Sequence, residues 1–99
     1  MTDIFLDRAY TLAREQLKAA SLAIHGVLVD EFPGLGLDAA HQATQRALQL
    51  HFAALELTRK VWAGSLPYDK ARDALQKQFA EFSHDTCVRA FADAYIETR

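Results

Sequence analysis

The sequence predicts an all-α fold, one antiparallel bundle of three long helices whose third is broken near Ser83, giving four. Three observations predict it. Apolar residues recur at alternating spacings of three and four along nearly the whole chain, the repeat of a helix face. Only two strong interruptions punctuate that repeat, Phe32-Pro33-Gly34-Leu35-Gly36 and Ala63-Gly64-Ser65-Leu66-Pro67. The 99 residues are 51% hydrophobic and 24% charged, an ordinary globular mixture that can close a single core, so residues 1-99 form one domain.

The first helix is predicted to begin at Thr2 or Asp3, whose side chains can accept from the orphan amides of a first turn. It should run to about Phe32, because Pro33 disfavours helical geometry in the residue before it. Such a helix is about 45 Å long at 1.5 Å per residue. Leu6, Tyr10, Ala13, Leu17, Ala20, Ile24 and Val27 form its packing seam, with Asp7, Arg8, Thr11, Arg14 and Lys18 on a wet face. From Ser21 onward the polar face vanishes, and Leu22, Ala23, Ile24, Val27, Leu28 and Val29 point in nearly every direction. A helix that is apolar all round is buried all round, either under other helices of the chain or against a partner. Within it, Gly26 reads as a close helix crossing, since an interior glycine costs about 1 kcal/mol relative to alanine.

The second helix should start near Gly36, with Asp38 as N-cap, and end near Trp62. Its seam is Ala40, Ala43, Ala47, Leu50, Ala54, Leu57 and Val61, with Leu48, Leu55 and Trp62 widening the buried face. Four of those seven seam residues are alanine, which lets neighbours approach closely and makes this the central helix, antiparallel to the first. Gln42, Gln45, Arg46, Gln49, Glu56, Arg59 and Lys60 fill its wet face.

Gly64 should close that helix and Pro67 open the next, the usual asymmetry of the two residues. Tyr68, Ala71, Leu75, Phe79 and Phe82 form one stripe, and Val88, Phe91 and Tyr95 another that is out of phase with it. The phase slips at Ser83-His84-Asp85, where two good caps predict the break.

Charge and cysteine usage exclude several function classes. The formal net charge is −2, from 11 Lys+Arg against 13 Asp+Glu, with no run of like sign, so neither nucleic acid nor anionic lipid is an expected partner. No stretch approaches the ~20 apolar residues of a membrane span, and the acidic start lacks the basic n-region of a signal peptide. The single cysteine, Cys87, has no partner for an internal disulfide and suits a reducing cytoplasm.

Two constellations carry possible chemistry. Asp38-Ala39-Ala40-His41 and Glu81-Phe82-Ser83-His84 are carboxylate-x-x-His units, with Glu15 and Glu56 on other segments. Residues three apart share a helix face, and the set resembles the ligands of ferritin-like di-iron bundles, which implies a metal held by Glu81, His84, Asp38 and His41. Arg46 and His51, spaced as Arg-x-x-x-x-His, resemble the short motif of the HEPN helical ribonucleases. That resemblance implies an Arg and a His from each of two subunits meeting over an RNA phosphate.

Trp62-Ala63-Gly64 is similar to the W-x-G turn of small secreted helical-hairpin proteins. However, Tyr95 is followed four residues later by Arg99, where that family has an acid. Phosphotransfer histidines have Lys and Gly close after them on one helix, a context absent around His25, His41, His51 and His84.

No catalytic set or phosphate loop stands out, and no cofactor is implied. The sequence therefore predicts a non-enzymatic protein-interaction module, an adaptor, inhibitor or chaperone-like protein, that forms a homodimer. Its interaction surface is expected at Leu22, Val29, Phe32, Leu35 and Leu37. The alternatives are the metal-binding bundle and the ribonuclease.

Overall fold

The computed structural model describes residues 4–15, 21–34 and 36–99, with the side chains of 5, 15 and 21–25 left out of the description. Among these residues the fold is all-helical, with five helices: α1 (Ile4–Glu15), α2 (Ser21–Glu31), α3 (Leu37–Trp62), α4 (Tyr68–Gln78) and α5 (His84–Glu97).

The predicted first helix is not one rod. Arg8 in α1 pairs with Glu31 at the end of α2, its Nε donating to Oε2 at 2.8 Å. These residues are 23 positions apart, and a continuous helix would hold them about 35 Å from each other. The two helices therefore lie side by side and antiparallel. The physical reason is α2 itself: extended beyond α1 it would leave an all-apolar surface in water, whereas folded back it buries Leu28 completely. Of the predicted seam, Leu6, Tyr10 and Ala13 are buried and Val27 packs against the core, while Leu17, Ala20 and the side chain of Ile24 lie outside the described residues.

Polar contacts fix the directions of the remaining helices. The Ser83 amide donates to Asp7 Oδ1 at 2.9 Å near the start of α1, and Asp93 meets Tyr10 and Arg14 further along, so α1 and α5 run the same way. Arg46 reaches Glu81, and Thr58 bonds Ala94 O and Thr98, so α3 shares that direction. Tyr68 touches Phe91 and Tyr95 late in α5, whereas Gln76 bonds His84 at its beginning, so α4 runs back. The path is up-down-up-down-up, and the antiparallel neighbour of α3 on the N-terminal side is α2, not α1.

At 26 residues α3 is about 39 Å long, close to the molecule's 44 Å long axis, and every other helix packs on it. Its buried line is the predicted one: Ala40, Ala43, Ala47, Leu50 and Ala54 are fully enclosed, with Leu57 and Val61 packed against the core. Buried Thr44 and Thr58 extend it. Thr44 Oγ1 donates to Ala40 O, and Thr58 Oγ1 lies 3.0 Å from Leu55 O and 3.3 Å from Ala94 O, so neither hydroxyl is left unsatisfied. The opposing core comes from Leu6, Tyr10 and Leu12 of α1, Leu75 of α4, Phe79 and Phe82 of the α4–α5 link, and Phe91 of α5.

The helix ends follow their residues with two corrections. The N-cap of α3 is Gly36, with no side-chain cap bond; Asp38 sits inside the first turn, where its charge complements the helix dipole. Pro67 is the N-cap of α4 rather than its first helical residue. Gly64, at φ +78°, closes α3 in a Schellman arrangement: its amide bonds Val61 O, and the Ser65 amide reaches back to Lys60 O at 2.9 Å. The break predicted at Ser83 is present, with Ser83 as the N-cap of α5 accepting from the Thr86 amide.

Gly26 departs from its expected role. It is exposed, and a Cβ there would meet open space, so it marks no close crossing.

Gly26→Ala should therefore stabilise the protein by about 1 kcal/mol, whereas Gly64→Ala, at its left-handed φ, should cost roughly 1–2 kcal/mol; urea unfolding midpoints check both signs. Ala54→Leu inserts bulk at a fully enclosed position and should destabilise by about 1–3 kcal/mol in the same assay.

Candidate functional site

Three places on the molecule stand out, and the first two hold residues singled out by sequence. The first is the end of the molecule where α2 turns into α3. Val29 and Phe32 are half-buried there and pack against the core. Leu37, opening α3, is 63% exposed. Leu35 lies outside the described residues, as does the side chain of Leu22. Ile4, one turn before the Arg8 that meets Glu31, stands at this same end and is 75% exposed. The apolar surface here is a mixture of side chains half committed to the core and side chains facing water. The α2 region is thus covered in part by its own chain, since α1 and α3 flank it and Leu28 is fully enclosed.

The second place is the α4–α5 link. Arg46 spans it from α3: Nε donates to Glu81 Oε1 at 2.9 Å, Nη2 to Gln78 O at 2.9 Å and Nη1 to Gln49 Oε1 at 2.8 Å. The guanidinium also lies over the Phe79 ring, 4.2 Å from its centroid. One side chain thus satisfies a carbonyl at the C-terminal end of α4, neutralises a carboxylate and covers an aromatic core residue.

This geometry bears on both chemical alternatives. Glu81, offered as a metal ligand, is engaged by Arg46, and His84 Nδ1 is 2.9 Å from Gln76 Oε1. Asp38 and His41 are exposed in the first turns of α3. Among the described residues, no group of three or more His, Cys, Asp or Glu side chains converges as a metal site would require. Arg46 and His51 likewise diverge: the Arg faces the link, while His51 is buried, with the Phe52 ring set edge-on at 5.4 Å. Residues five apart on a regular helix point about 140° from each other, so this separation follows from the helix.

The third place was not singled out as a site. At the far end of α3, Trp62 stacks on Tyr95 with centroids 4.4 Å apart and donates its indole N–H to Tyr95 O at 2.9 Å. Tyr68 meets Tyr95 and Phe91 edge-on, at 5.1 and 4.9 Å. Trp62 is 44% exposed, so it lies across the end of the bundle instead of filling its core. The exposed Phe52 was also missed. Neither has a signal in the spacing, because Trp62 continues an apolar stripe and Phe52 sits between buried His51 and half-buried Ala53.

Titration is shifted at Tyr10, Glu31 and Cys87. Burial, reinforced by Asp93, raises the Tyr10 phenol well above its ordinary range. The hydrogen bond from Arg8 lowers the Glu31 carboxyl, so its contribution to stability is present at neutral pH and is lost as acid protonates it. Burial pushes the Cys87 thiol up to about 11, with Asp7 and Glu81 adding to the shift. The thiol is enclosed and close to Phe79 O, at 3.6 Å.

Cys87 and Tyr10 both hold their protons more tightly when folded, so the contribution of these two groups to stability is fully present at neutral pH and should fall as pH rises past about 9, where the unfolded chain ionises first. Unfolding midpoints between pH 8 and 11 test this, and Cys87→Ala should flatten the lower part of the decline. Arg46→Ala should cost about 1–2 kcal/mol and exceed Glu81→Gln, because the Glu81 pair is partly exposed whereas Arg46 also covers Phe79 and bonds Gln78 O.

Comparison with protein-family models, with curated proteins and with solved structures finds no match to this chain.

Proposed function

We propose that the chain is a small, non-enzymatic, cytoplasmic protein-interaction module that self-associates as a homodimer. The observation that carries this reading is the apolar end where α2 meets α3, with Leu37 and Ile4 exposed beside half-buried Val29 and Phe32. Removing such side chains from water contributes roughly 25 cal/mol per Å² of apolar area before ordering costs are subtracted. Leu22 and Leu35 belong to the proposed surface by sequence. The single buried cysteine is compatible with a reducing compartment. Among the described residues, no helix is long and apolar enough to cross a membrane.

Native mass spectrometry over a concentration series tests the reading directly. The wild type should shift from monomer to dimer as concentration rises, and Leu37→Glu should remain monomeric with an unchanged helical signal, since its side chain faces water in the single chain. A wild type that stays monomeric at high concentration overturns the homodimer. The same spectra report bound metal, and a mass gain of one or two metal ions per chain would move the assignment to Glu81 and His84.

A further inference from the structure

We draw no further inference here: the strongest candidate, the aromatic group of exposed Trp62 and Tyr68 with half-buried Tyr95 where α3, α4 and α5 meet, is an unpartnered apolar face and nothing in the structure shows what covers it.

Discussion

The alanines at 40, 43, 47 and 54 on α3 set how closely its neighbours can approach, and the remaining helices are placed by that limit. A helix with short side chains on its buried line can lie close to several others at once, which suits a central position. The aromatic and leucine bulk that fills the core is supplied from the outside inward, by Tyr10, Leu12, Leu75, Phe79, Phe82 and Phe91. Dispersion contacts in such a core are many and individually small, so its shape constrains sequence more than any single contact does. Enlarging an alanine on α3 is therefore felt by more than one helix.

Around this core the helices are joined by polar ties of different kinds. Asp7 accepts the Ser83 amide, Asp93 gathers Tyr10 and Arg14, and Arg46 fastens the α4–α5 link. The ion pairs are partly exposed and individually weak, so they set register and direction more than total stability. Thr58 differs because it is fully enclosed: its hydroxyl meets Ala94 O and accepts from Thr98, which fixes α3 to α5 where an unsatisfied group would be costly. Together these ties make α1, α3 and α5 parallel neighbours, an arrangement made possible by the returns through α2 and α4.

The same packing shapes the surface. Among the described residues, the large apolar side chains left exposed lie mainly toward the two ends of the molecule, at Ile4 and Leu37 and at Trp62, Tyr68 and Ile96, with Phe52 and Val88 between them. Of the residues considered for chemistry, Arg46 and Glu81 hold a link together and His51 is enclosed on α3, while Asp38 and His41 are exposed.

Much of the fold is legible in the chain because it is set by local rules. Helical periodicity identifies the buried line of α3, Gly64 terminates it through a positive φ, and the phase slip with a serine cap places the start of α5. Periodicity within a segment carries no information about where the chain reverses if neither proline nor glycine marks the place. The side-by-side pairing of α1 and α2 was therefore decided by the burial of α2, a tertiary effect. The exposure of Trp62 and the engagement of Arg46 with Glu81 were decided in the same way, by which helix ends meet. The sequence by itself determined that these segments are helices and which line α3 buries, since both depend on residues within a few turns, whereas α5 buries Cys87, Ala90, Phe91 and Ala94 and leaves Val88 of its predicted stripe exposed and Tyr95 half-buried. Only the tertiary structure decided direction, neighbour and exposure, since these depend on residues distant in sequence competing for one shared core.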